Sequence, residues 1–270
     1  MVGLPLCRHW EQPVASKPWQ LPSPPFSGRR PVKTIDCAGI DVTHADHLDG
    51  GGPRSWPHYV EAARTRIGPV ERAFEWCAGP GYIGFALLGS GLCTHLTLAD
   101  INPDAVEAAR LTVRRQGLED RVTVFQSDNL RDIPESEQWD LVVGDPPHFP
   151  VALERHIERG FVLRSVDADW RLHRAFFAGI RRHLRPGGRM LITESMVAGE
   201  EHIPFFERLL AENNLVLVET PWRIEKITRY FLFIARAEDA SAMAGGARPT
   251  VATTTGAAID CPAGGGAIIP

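Results

Sequence analysis

The chain has 270 residues, 44% of them hydrophobic, and is long enough to bury a sizeable core around one large domain with appendages. Its 29 basic and 33 acidic side chains leave a formal charge of -4, which argues against a surface built to coat nucleic acid. Weight shifts to a small-molecule, peptide or protein substrate, with nucleic acid kept open but not favoured. No apolar run approaches the roughly 20 residues of a membrane-spanning helix. Cys7, Cys37, Cys77, Cys93 and Cys261 have neither zinc-ligand nor redox spacing, and no secretory signal precedes them. The expectation is a reducing, cytoplasmic setting, no membrane partner and no metal.

In chain order, residues 1–31 are broken by prolines and show no helical or strand period, which predicts an extended arm. The run from Asp46 to Tyr59 mixes flexible glycines with aromatic and ionisable side chains. It reads as a lid whose Trp56, His58 and Tyr59 face a substrate or a cation, so 1–54 is assigned as arm and lid. A helix is expected over 56–67 and a strand over 72–76, followed by a glycine turn and a helix over 82–88. A strand over 94–100 leads into Asn102-Pro103, which opens a helix reaching about Gln116, with proline tolerated at its start. Further strands are expected over 122–126 and 139–143. A helix over 169–184 is expected to stop at Pro186-Gly187-Gly188, ahead of a strand over 189–193. After a helix over 203–212 come strands over 215–219 and 230–235, with no helix between them and hence antiparallel. Alternating strand and helix predicts a parallel α/β sheet over 55–238. The Ala, Gly and Thr composition of 239–270 predicts a flexible tail.

The turn Cys77-Ala78-Gly79-Pro80-Gly81-Tyr82-Ile83-Gly84 lets a ligand approach the backbone closely and points free amides at it. Gly79, Gly81 and Gly84 satisfy the GxGxxG spacing, and Asp100 sits about 20 residues on, where a carboxylate binds ribose hydroxyls. On this alone NAD, and with it an oxidoreductase, stays open. Glu75 favours S-adenosylmethionine: a carboxylate at the end of the first strand suits an ammonium group and repels a pyrophosphate. Ser127-Asp128-Asn129 adds a carboxylate and an amide able to read an adenine amine.

Four ordered segments carry a family resemblance over about Trp56 to Ala235. Glu75-Trp76-Cys77-Ala78-Gly79-Pro80-Gly81 resembles motif I of class I S-adenosylmethionine-dependent methyltransferases, and Leu98-Ala99-Asp100-Ile101-Asn102 resembles their motif II. Gly144-Asp145-Pro146-Pro147-His148 is similar to the (Asn/Asp/Ser)-Pro-Pro-aromatic motif IV of amino-directed members, and Leu184-Arg185-Pro186-Gly187-Gly188 to the turn before their fifth strand. Within the class the chain resembles the small-domain, HemK-like group, which also contains ribosomal RNA guanine methyltransferases. The resemblance implies a Rossmann-like, seven-stranded, mostly parallel sheet with an antiparallel C-terminal strand. It also implies bound S-adenosyl-L-methionine and transfer to nitrogen. Its cofactor residues would be Glu75, Cys77, Ala78, Gly79, Gly81, Asp100, Ile101, Asp128, Asn129 and Asp145, and its catalytic ones Asp145, Pro146, Pro147 and His148. Two positions depart from the pattern: Cys77 replaces the first glycine of motif I, and His148 replaces Tyr or Phe.

Methyl transfer from a sulfonium is an in-line displacement, in which positioning can lower the barrier by roughly 7–11 kcal/mol. Two successive prolines fix the backbone and remove two donors, so the loop offers carbonyl oxygens to an amine. Asp145 can accept a further hydrogen bond from that nitrogen and stabilise the charge growing on it. His148 can stack on a planar acceptor, act as a base, or close the loop. His148 and Cys77 also leave room for attack at the aminopropyl carbon of the cofactor, and the arginines from Arg155 to Arg189 for an RNA N-methyltransferase.

Overall fold

The structure is a computed structural model that describes residues 32–48, 51–150, 162–195, 202–219, 222–224 and 229–244. The expected arm over 1–31 and the tail beyond 244 lie outside the described residues. Within the expected arm-and-lid region the chain instead builds a hairpin, β1 (Lys33–Cys37) paired antiparallel with β2 (Ile40–His44). Its two-residue turn, Ala38-Gly39, has φ of 57° and 89°, the left-handed pair that matches strand twist. The hairpin is part of the domain: Cys37, Ile40 and Val42 are buried, and the Thr43 amide donates to Thr112 Oγ1 at 2.8 Å.

Helix α1 (Gly52–Arg66) starts behind Gly51, which is left-handed at φ 112°, and takes Pro53 in its first turn. The strands β3 (Val70–Trp76), β4 (Cys93–Asp100), β5 (Val122–Gln126), β6 (Trp139–Gly144) and β7 (Leu184–Ser195) are mutually parallel. After them come β8 (Leu215–Leu217), β9 (Trp222–Ile224) and β10 (Arg229–Arg236), the last antiparallel to β7, β8 and β9. The order is β5-β4-β3-β6-β7-β10-β8, with the short β9 added beside β10. The seven-stranded, mostly parallel arrangement is thus the one expected, including its reversed C-terminal strand. Strand order turns around between β3 and β6, and ligand crevices of open α/β sheets lie at the carboxyl ends there.

Successive β3 residues feed opposite layers, as strand geometry requires. Ala73 joins the core shared with α1, α2 (Tyr82–Gly89) and α3 (Pro103–Gln116), while Phe74 and Trp76 join the layer on the other face. That second layer is aromatic. Trp76 stacks on Phe176 at 3.8 Å between centroids, and Phe74 on Trp139 at 4.0 Å. It is completed by α5 (Arg171–Ile180) and α6 (His202–Ala211), which follow the short α4 (Val162–Ser165).

The helix expected over 169–184 is shorter at both ends. Asp169 and Trp170 have φ of 56° and 57°, which no right-handed helix accommodates, and Leu184 already belongs to β7. Pro186-Gly187-Gly188 does not precede that strand but bulges within it, where the register moves from Trp139↔Leu184 to Leu141↔Arg189. At the far end the chain forms α7 (Ala237–Ala244) where the flexible tail was expected to begin, and Asp239 Oδ2 accepts the Gly187 amide at 2.8 Å.

Candidate active site

The β3–α2 loop shapes one wall of a cavity of about 260 Å³ at the switch point. Gly81 starts α2 in the left-handed region at φ 91°, and a Cβ on it would lie 2.8 Å from Leu98 and Phe85. Glu75 is buried beneath this loop, and its Oε2 accepts the Gly84 amide at 2.7 Å. Burial pushes its carboxyl up to about 8, against the pull of the Gly84 and Ile83 amides. A Cβ at Gly84 would sit 2.8 Å from that same oxygen, so only glycine permits the contact. Glu75 therefore ties the loop to the strand as well as lining the cavity.

Asp100 ends β4 and takes one amide on each oxygen, Gly79 at 2.7 Å and Asn102 at 2.8 Å. Burial raises its carboxyl despite these bonds. A carboxylate oxygen has two lone pairs, so capacity remains for hydroxyl donors. Beyond β5, Asn129 is left-handed at φ 62° and its Nδ2 donates to the Leu172 carbonyl at 3.0 Å. Its Oδ1 is buried and has no hydrogen-bond partner among the described residues. An acceptor stranded in this way costs about 1–3 kcal/mol, and a ligand amine would relieve it. Ile101, at 37% exposure, offers an apolar face at the same wall.

The opposite wall is built from the loop after β6. Asp145 is surrounded by the four neighbours that saturate a carboxylate. The Arg229 guanidinium and Ser55 Oγ, at 3.1 Å, meet Oδ2; Thr193 Oγ1, at 2.8 Å, and His148 Nε2, at 2.9 Å, meet Oδ1. Burial alone would raise this carboxyl, but Arg229 and His148 hold it well below the usual range. From His148 the contacts continue inward. His148 Nδ1 lies 3.4 Å from Glu194 Oε2, Glu194 Oε1 lies 2.7 Å from His173 Nε2, and His173 Nδ1 lies 2.7 Å from Asp167 Oδ2. Burial disfavours the charged imidazoles, yet these carboxylates raise both, His173 to about 9. Glu194 is lowered in turn, against its own burial, chiefly by His173.

Of the sequence-predicted residues, Glu75, Cys77, Ala78, Gly79, Asp100, Ile101, Asp128, Asn129, Asp145 and Pro147 line the cavity together. Gly81, Pro146 and His148 are buried and do not line it. His148 is buried between two carboxylates, so it neither stacks towards the cavity nor has a ring nitrogen free to act as a base. Cys77 adopts φ 54°, and burial drives its thiol well above the ordinary range. Asp128 is half exposed and lies 3.4 Å from Arg131.

From Gly52 on, the expected lid is the first part of α1. Tyr59 is fully buried, donates to the Gly144 carbonyl and accepts the Thr193 amide at 3.2 Å; Trp56 and His58 are half-buried, and none of the three lines the cavity. Three arginines of the arginine-rich stretch are ion-paired, Arg181 with Glu238, Arg182 with Glu135, and Arg185 with Glu71 and Asp140, and Arg174 lies over the Phe205 ring. Arg155 and Arg159 lie outside the described residues. Among those described, no group of three His, Cys, Asp or Glu side chains could hold a metal, and no helix is long and apolar enough to cross a membrane.

Sequence reading missed Ser55, Asp167, His173, Thr193, Glu194 and Arg229. Glu194 alone carried a signal: like Glu75 and Asp100, it is a carboxylate closing an apolar parallel strand.

Residues 69–224 match the model of the methyltransferase small domain. The chain therefore belongs to that family, within the class I S-adenosylmethionine-dependent methyltransferases. A release factor glutamine methyltransferase from Rhodopirellula baltica is 29% identical over 155 residues, 54% of this chain and 50% of the relative. A ribosomal protein uL3 glutamine methyltransferase from Francisella tularensis is 26% identical over 132 residues, 47% of this chain and 42% of the relative. The chain thus spans about half the length of these curated relatives. Among solved structures, the T. thermophilus 16S rRNA N2-guanine methyltransferase, in complex with AdoMet and guanosine, superposes with a TM-score of 0.54 at 16% identity. That likeness covers 79% of this chain and 52% of the other, and it concerns the fold.

Proposed function

We propose that the chain is an S-adenosylmethionine-dependent methyltransferase that modifies a side-chain nitrogen of a protein or peptide. The observation carrying this reading is the rigid Asp145-Pro146-Pro147 loop set across the switch-point cavity from Asp100 and the stranded Asn129 acceptor. The protein acceptor is favoured by the two glutamine-directed relatives.

In this reading Asn129 Oδ1 accepts from the adenine amine, Asp100 binds the ribose hydroxyls, and Ile101 covers an adenine face. The Glu75-braced loop holds the methionine end. When bound, the cofactor supplies an electrophilic methyl group. The chain's own task is to orient the nucleophile and stabilise the positive charge that develops on it. The carbonyls of the proline loop accept hydrogens from the acceptor nitrogen. Asp145 contributes by its charge and by anchoring the loop, since its own lone pairs are occupied by Arg229, Thr193, His148 and Ser55. Aminopropyl chemistry gains no support, because His148 and Cys77, which suggested it, are engaged in packing and charge pairing.

Titration calorimetry with S-adenosylmethionine, followed by label transfer to release factor, ribosomal protein, total RNA and small amines, tests the proposal. Cofactor binding, S-adenosylhomocysteine as co-product and a labelled protein are expected. Absence of cofactor binding sinks the reading, and label in RNA alone sinks its acceptor.

A further inference from the structure

The row Arg229, Asp145, His148, Glu194, His173, Asp167 alternates charge through the buried side of the acceptor wall and joins four separate pieces of chain. Asp145 and His148 belong to the loop after β6, Glu194 to the end of β7, and Arg229 to the start of β10. Asp167 sits ahead of α5 and accepts the Leu172 and His173 amides at 2.8 and 3.1 Å. The loop is also stapled to this last piece by backbone: the Phe149 amide donates to Ser165, and the Asp167 amide to Phe149.

Glu194 is the midpoint, one oxygen facing each imidazole. With both rings protonated, every ring N–H points at a carboxylate, and three cations balance three anions. Removing either ring proton turns a donor towards an acceptor into two acceptors face to face, beneath the loop that must hold the nucleophile. Both rings are surrounded on all sides. Besides the members of the row, the nearby groups are the buried Tyr230 on β10, Tyr59 on α1 behind Arg229, the neutral Cys77 thiol, and the rings of Trp76, Trp170 and Phe206 against His173.

We propose that Glu194 is a positioning residue, which bridges the protonated rings of His148 and His173 and thereby holds the Asp145-Pro146-Pro147 carbonyls in the register that methyl transfer requires. This gives a reason for His148 in place of Tyr or Phe: its imidazole exchanges contact with the acceptor for a tether to β7. The proposal rests on the methyltransferase reading for its rate arm only.

The test uses the full chain carrying ring-labelled histidine. In the native protein the His148 and His173 resonances are expected to stay in their protonated positions through neutral pH. Glu194→Gln, which keeps the shape and removes the charge, is expected to move at least one of those titrations down by about one pH unit or more. The alkaline limb of kcat moves with it and kcat falls about tenfold at moderately alkaline pH, with cofactor affinity and acceptor KM little changed. His148→Phe restores a family-type ring without a charge and is expected to abolish the part of the limb due to His148; it is also the fallback if Glu194→Gln fails to fold. Unmoved titrations and an unmoved limb in Glu194→Gln, or a loss of cofactor affinity parallel to the loss of rate, would overturn the proposal. Failure of the native chain to bind cofactor would remove the methyltransferase reading, whereas the histidine titrations would still decide whether Glu194 bridges the rings.

Discussion

The two walls of the cavity hold their polar groups in opposite conditions. On the β3–β4 wall, Asp100 keeps spare acceptor capacity and Asn129 Oδ1 is buried without a partner among the described residues. On the β6–β7 wall, the Asp145 carboxylate is saturated and Glu194 is shared between two imidazoles. A wall left unsatisfied gains free energy when its ligand arrives; a wall that is satisfied internally contributes shape and a fixed field. In the function proposed above, the first wall binds the cofactor and the second presents an acceptor in one geometry.

The largest test of this contrast is Asp145→Ala. It leaves the largely buried Arg229 guanidinium without its anion and the His148 ring with Glu194 as its one remaining carboxylate, a lesion that costs about 3–5 kcal/mol. Denaturant unfolding should show that loss together with abolished transfer, while calorimetry shows a far smaller change in cofactor affinity. Asp145→Asn, which keeps the shape, should fall between. An equal loss of affinity would mean that the walls are not separable.

Next comes pH. The folded-state value of His173, about 9, lies above its ordinary 6.5, so its contribution is complete below about 6.5 and lost as pH rises through about 9. Glu75, raised to about 8 from 4.5, acts with the same sign at lower pH: its protonated form is the one the fold favours. Asp145 and Glu194 are lowered, and withdraw their contributions only towards strong acid. Unfolding free energy measured at mildly acidic, neutral and alkaline pH should therefore decline steadily on the alkaline side. A flat profile would deny that the acceptor wall is held by imidazolium charge. A smaller effect, confined to the other wall, is expected of Asn129→Gly, which keeps the left-handed backbone and deletes the stranded acceptor together with the Nδ2 bond to Leu172, a gain and a loss that offset each other. Stability should change little, and cofactor affinity should drop about tenfold, the worth of roughly one good hydrogen bond.

How much of this was legible in the sequence follows the same division. The cofactor wall is local: Glu75, Gly79, Asp100 and Asn129 each stand at the end of a strand whose apolar run announces it, so their convergence follows from strand order. The acceptor wall is assembled at a distance. Glu194 is 46 residues from His148, Arg229 is 84 from Asp145, and Ser55 is 90 from Asp145, and no local pattern pairs them. The hairpin escaped because acidic Asp36 and Asp41 dilute its short alternation. Most of α1 is legible as the helix expected over 56–67, and only its first turn reads as loop, because of Gly51 and Gly52; Gly51 supplies the left-handed start and Gly52 clears the Tyr82 ring, which a Cβ would approach to 2.3 Å. The helix expected over 169–184 overruns α5 at both ends because the amphipathic pattern continues through residues whose backbone is not helical.

The smallest effect concerns Cys77, a non-glycine residue at φ 54° in the hinge between β3 and the cavity. Left-handed backbone costs a side chain about 1–2 kcal/mol. Cys77→Gly would recover this, but it loosens the unfolded chain by about 0.4–1 kcal/mol and gives up the packing of the thiol against the aromatic layer. The near-cancellation predicts a change in stability within about 0.5 kcal/mol, and cofactor affinity no lower than the native chain's. Cys77→Val has no such offset, because a branched Cβ in the left-handed region adds strain of about 1–3 kcal/mol and distorts the loop that carries Ala78 and Gly79. A valine variant that binds cofactor as well as the glycine variant would mean that the hinge backbone is free to relax, and that the rigidity assigned to the cofactor wall lies elsewhere.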